Sequence, residues 1–166
     1  MNHRFRHLAP ITAEAWEQID EEATRSLRHF LAARKVVDVS GPHGWEYSAL
    51  SLNRVGPLES PCEGTEAALR KVLPLVEVRT PFTLSISEMA NADRGAEDLD
   101  LDAVVDAARR AAAAEDRAVF HGYAAGEIEG LTQVSTHAPV EISDDYANYP
   151  SHVEAAVAAL RSAGVD

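Results

Sequence analysis

SGPHGWEYSAL, residues 40–50, is the stretch on which the fold turns. Gly41, Pro42, His43 and Gly44 precede a Trp and a Tyr two positions apart. Such a turn can be a ligand loop, or the hinge of an arm that reaches a neighbouring subunit. The residues beyond it bear on the choice without deciding it. Trp45, Tyr47 and Ala49 fall on one face of an extended chain, and Leu50 and Leu52 fall on the other. One residue of slip exchanges the faces of a strand, so the segment either bulges or meets different partners along its length. A compact one-sided sheet does not ask for that. Residues 56–64, GPLESPCEG, are turn chemistry with two prolines. Residues 66–71 then form a short helical turn or the arm's return.

Upstream, residues 11–35 read as a helix. Thr12 is the expected N-cap, and Glu14 favours the positive end of the dipole. Trp16, Ile19, Ala23, Leu27, Phe30 and Leu31 recur at helical spacings, with Asp20, Glu21, Glu22, Arg25 and Arg28 elsewhere. This is either a core-packing helix or one that also offers a groove to a peptide.

Downstream, residues 76–86, VEVRTPFTLSI, alternate apolar and polar positions and predict a strand, at an edge or bent at Pro81. An acidic loop follows at 91–100. A second long helix is expected from about Leu101 to His121, with a narrow stripe of Leu101, Val104, Val105, Ala108, Ala112 and Val119. Gly122 or Gly126 ends it. GLTQVS (130–135) and APVEIS (138–143) look strand-like. In a third helix Ser151 is the expected cap, Glu154 completes a capping box, Val153, Val157 and Leu160 form the stripe, and Gly164 is the stop. Those three side chains need a cover.

Bulk properties exclude several classes. The chain has 166 residues and a net charge of −12, which argues against phosphate neutralisation and hence nucleic-acid binding. That charge makes copies repel one another at long range. With Cys62 as the sole cysteine, no intrachain disulfide is possible, and a reducing cytoplasm is expected. The basic N-terminus leads into no apolar run, so no secretory signal is read. No stretch approaches the roughly 18 apolar residues of a membrane span.

Enzyme chemistry finds little support. There is no G-x-S-x-G, H-E-x-x-H, C-x-x-C, P-loop or G-x-G-x-x-G. His3 and His7 are four apart but have no acid nearby, and no metal or cofactor site is expected. Glu115 and Asp116 project from different sides of a helix and make no carboxylate dyad; they read as a salt-bridged surface. His43 reads as a solvated loop histidine, and Cys62 as an inert thiol.

LAPITAEAWEQIDEEA (8–23), AARKVVDVSGPHGWEYSAL (32–50), LRKVLPLVEVRTPFTLS (69–85) and EDRAVFHGYAAGEIEGL (115–131) together resemble the encapsulin shell proteins, once labelled linocin-type bacteriocins. The likeness runs in order through the whole chain. It implies an α+β, HK97 phage-capsid-like fold whose subunits close into an icosahedral shell in the bacterial cytoplasm. The shell would enclose cargo enzymes, such as a dye-decolourising peroxidase or a ferritin-like protein, through C-terminal targeting peptides. The implied organisation is an N-terminal helix region (1–39), an extended E-loop arm (40–72), a P-domain strand and spine helix (73–126) and a further P-/A-domain segment (127–166). Trp45, Tyr47, Leu50 and Leu52 become subunit contacts. Matching the family pattern, Leu27 and Leu31 would take apolar anchors of a cargo peptide, with Arg34 and Asp38 fixing its direction. Family chains continue past the closing GVD, so a second polypeptide is expected to complete each subunit. A phage major capsid protein of the same fold and a bacteriocin- or protease-type enzyme are the alternatives.

Overall fold

The computed structural model describes residues 6–165. His3, half of the histidine pair noted above, lies outside them. Helix α1 spans Ala13–Phe30 and is followed by a 3-10 turn, Ala33–Lys35. Strands β1 (Ala49–Leu58) and β2 (Ala67–Pro74) form an antiparallel hairpin. Helices α2 (Ile86–Asp93), α3 (Asp102–His121), α4 (Leu131–Val134) and α5 (Tyr149–Ser162) complete the order. The architecture is mixed: helices and one small sheet.

The core lies where α1, α2 and α3 meet. Ala15, Ile19, Met89, Ala92 and Val104 are buried together, flanked by Ile11, Trp16, Ala23, Leu84, Leu99 and Leu101. Ala107, Ala108 and Ala112 are buried along α3, and small side chains there let α1 and α3 pack closely. Thr12 secures the start of α1 twice. Its Oγ1 accepts from Ala15 N at 3.3 Å and donates to Asp93 of α2 at 2.6 Å. Arg6 ties the preceding turn down by stacking on Trp16 and donating to both oxygens of Asp20. Gly122, at φ 82°, stops α3 where an L side chain would be strained.

Several sequence expectations need correction. Helix α1 stops at Phe30, and residues 33–35 tighten into a 3-10 turn. Residues 76–85 take no strand: alternation suits a pleated surface, but a ladder needs a partner, and the hairpin strands pair with each other. Ile86 instead opens α2, capped by Ser85, whose Oγ accepts from Ser87 N. The signature was present, because S-I-S-E at 85–88 is a capping-box pattern. Residues 131–134 are a helical turn, and 138–143 are irregular. Helix α5 begins three residues early, at Tyr149, with Pro150 in its first turn and Asn148 at the cap. Ser151 therefore sits inside the helix and donates back to Asn148 O at 2.7 Å. Val153, Val157 and Leu160 remain exposed along α5.

Candidate functional site

The hairpin stands apart in composition and packing. Its register pairs Leu50 with Leu73 and Ser51 with Val72, then Val55 with Arg70 and Leu58 with Ala67. Between the second and third of these pairs β1 advances four residues while β2 advances two, so β1 bulges. Asn53 sits at the bulge with φ 53°, a left-handed conformation that Asn tolerates, and its N–H donates to Ser51 Oγ. The irregularity of β1 thus lies between Ser51 and Val55, beyond the change of phase expected at Ala49 and Leu50. Trp45 and Tyr47 do not share a strand face with Ala49, because they fall in the turn before β1. Tyr47 packs against His43, ring centroids 4.3 Å apart, and Trp45 is 69% exposed. His43 is therefore a turn-packing residue, within 3.3 Å of Ser40 Oγ.

The register places apolar side chains on both faces of the two-stranded sheet. Leu50, Leu58, Leu69 and Leu73 share one face; Val55 and Val72 share the other. All six are 42–62% exposed. Among the described residues no other helix or strand packs broadly against this ribbon. The connecting turn organises itself around Cys62, whose carbonyl accepts from Ser60 Oγ at 2.8 Å and Thr65 Oγ1 at 2.9 Å. The hairpin is also electrically balanced: Arg54, Arg70 and Lys71 against Glu59, Glu63 and Glu66. The net charge of −12 lies elsewhere in the chain.

The second candidate region is the end of α1. Leu27 is half-buried, and Leu31 is only 8% exposed, packed into the subunit. Arg34 forms a fork with Glu115 of α3, Nε to Oε1 at 2.6 Å and Nη2 to Oε2 at 2.8 Å. That carboxylate raises the pKa of Arg34 above its ordinary value, chiefly through the hydrogen bonds. Asp38 is exposed. Asp116, beside Glu115, accepts from Ala32 N at 3.1 Å and Ala33 N at 2.8 Å. The sequence marked the 115–116 pair as a salt-bridged surface. The salt bridge is there, from Glu115 to Arg34, and the pair also fastens the end of α1 to α3; only the fold brings residues more than 80 positions apart together.

Among the described residues no group of three or more His, Cys, Asp or Glu is placed to hold a metal ion, and no helix is long and apolar enough to cross a membrane.

The family described as "encapsulating protein for peroxidase" matches residues 1–166. The type 1 encapsulin shell protein of Rhodospirillum rubrum is 48% identical over 172 residues, covering 100% of this chain and 61% of that protein. Those of Mycolicibacterium paratuberculosis and Mycobacterium tuberculosis are 45% and 41% identical over 166 residues, covering 100% of this chain and 63% of each relative. The chain thus spans 61–63% of the length of these curated relatives. The names they carry are those of shell proteins, a structural role and not an enzymatic one. With a match over every residue and relatives at 41–48% identity, this chain belongs to the family of encapsulating proteins for peroxidase, the encapsulin shell proteins.

Proposed function

We propose that the chain is a subunit of a closed encapsulin-type shell, in which the hairpin arm engages neighbouring copies and the helical body forms the wall. The observation that carries this reading is a long hairpin with large apolar side chains exposed on both faces and, among the described residues, no other helix or strand packed broadly against it. A free ribbon of that kind is marginal in water until something covers it. Its outer strand edges are also templates for pairing. The family reading supplies the remainder: an HK97-like fold, arm at 40–72, spine helix at 101–121, an icosahedral shell in the cytoplasm and no catalytic centre of its own.

The shell would enclose an enzyme. The family description names a peroxidase as the encapsulated protein, and the resemblance implies a ferritin-like protein as the other cargo. A C-terminal cargo peptide would meet the end of α1. Half-buried Leu27 offers apolar surface there, and exposed Arg34 and Asp38 offer charged hydrogen bonds. Leu31 contributes by holding the helix in place, since it is buried.

Deleting residues 46–64 tests the shell reading. Electron microscopy of the purified material should show soluble subunits and no closed shells. Normal shells from the deletion would overturn it. For cargo, Leu27→Ser with Asp38→Lys should reduce co-purification of the peroxidase with assembled shells. Unchanged loading by intact shells would remove these residues from the cargo site.

A further inference from the structure

We propose that α3 sets the posture of the hairpin from inside the subunit by clasping both of its roots. At the entry root, the chain leaves α1 at Phe30 and heads for the arm. Ala32 and Ala33 then need acceptors for their N–H groups, and Asp116 of α3 takes both. The next residue, Arg34, is forked onto Glu115. At the exit root, Arg110 of the same helix donates from Nη2 to Pro81 O at 3.1 Å. Proline has no N–H, so its carbonyl is its only backbone hydrogen-bonding group. The two attachment points are five or six residues apart on one helix, about 8–9 Å along its axis at 1.5 Å per residue. Between the roots, Leu75 N donates to Ser48 O at 2.9 Å and closes the hairpin's base. A rigid helix thus spaces the two legs, and a backbone pair joins them.

The clasp is polar and partly exposed, with Arg34 at 50% and Glu115 at 35% side-chain exposure, so it acts as an adjustable mount and not as core packing. Its use follows from the entropy of association. An arm that already points in one direction loses less freedom when it pairs with a neighbour. This consequence for assembly rests on the shell reading above; the clasp itself does not.

The test uses the full chain with spin labels on the native Cys62 at the arm tip and on Ala113→Cys in α3. The distance distribution between them should broaden about twofold when Asp116, Glu115 and Arg110 are all changed to Ala, with smaller effects from Asp116→Ala and Arg110→Ala alone. Glu97→Ala, off the clasp, should leave it unchanged. An unaltered distribution in the triple variant overturns the proposal. If the triple variant loses its helical circular dichroism, Glu115→Gln and Arg110→Ala decide the matter in the same measurement. Light scattering then reads assembly separately: shells should form about tenfold more slowly with the clasp released. A broadened arm with an unchanged assembly rate would keep the clasp and refute its role in assembly.

Discussion

Val104 in the helical body and Leu69 in the arm are both aliphatic side chains on regular elements, yet the first is 2% exposed and the second 60%. The body invests its apolar residues in a core shared by α1, α2 and α3. The arm invests its own on two open faces. Charge divides in the same way. The hairpin, residues 49–74, balances its cations and carboxylates, and the acidic excess belongs to the rest of the chain. Bodies therefore repel one another at long range, while arms can approach a neighbour without adding to that repulsion. On the proposed shell reading, stability and association are written into separate regions, so substitutions should affect one without the other.

The largest expected effect comes from placing a charge in the body. Val104→Asp buries a carboxylate with no partner and should cost about 3–5 kcal/mol in urea unfolding. Leu69→Asp in the arm should change the same unfolding free energy by less than about 0.5 kcal/mol while preventing shell formation. Comparable shifts in the two urea midpoints would break the comparison.

Gly126 probes the contact between the exit leg and the turn after α3. A Cβ there would lie 2.6 Å from Val76 Cγ2 and 2.7 Å from Tyr123 Cδ1. Gly126→Ala should destabilise by about 1–3 kcal/mol through overpacking, read by thermal melt. A neutral result would mean that residue 76 moves freely with the arm. Thr12→Val removes the cap of α1 and its bond to Asp93. A loss of about 1 kcal/mol is expected, confined to the body.

The smallest effect is a pH dependence. Arg25, and then Ser26, hold the Glu22 carboxyl below its ordinary value of 4.5 by hydrogen bonding. A carboxylate with a depressed folded-state pKa contributes stability that is fully present above the unfolded value and lost as pH falls through the folded one. Because Arg25 is largely exposed, the contribution should stay below about 1 kcal/mol. In Glu22→Gln, stability should fall less between pH 7 and pH 3 than in the parent chain. An identical acid limb in both would show that Glu22 contributes nothing there.

Local chemistry made much of this molecule legible from its residues. The cap at Thr12, the stop at Gly122 and the apolar periods of α1 and α3 each depend on neighbours within a turn or two, so they survive as read. The phase change read near Leu50 does not survive, because Trp45 and Tyr47 precede β1; the irregularity of the ribbon is the bulge between Ser51 and Val55. Residues 76–85 show the limit. Their alternation is genuine, but a strand exists only beside another strand, and no local signal supplies one. Candidate-site residues follow the same division. Trp45, Leu50 and Leu52 could be placed on an exposed arm from composition and phase. The burial of Leu31, the pairing of Arg34 with Glu115 and the two amides held by Asp116 could not. Those depend on α3 crossing the end of α1, a meeting of residues distant in sequence that only packing of the whole core decides.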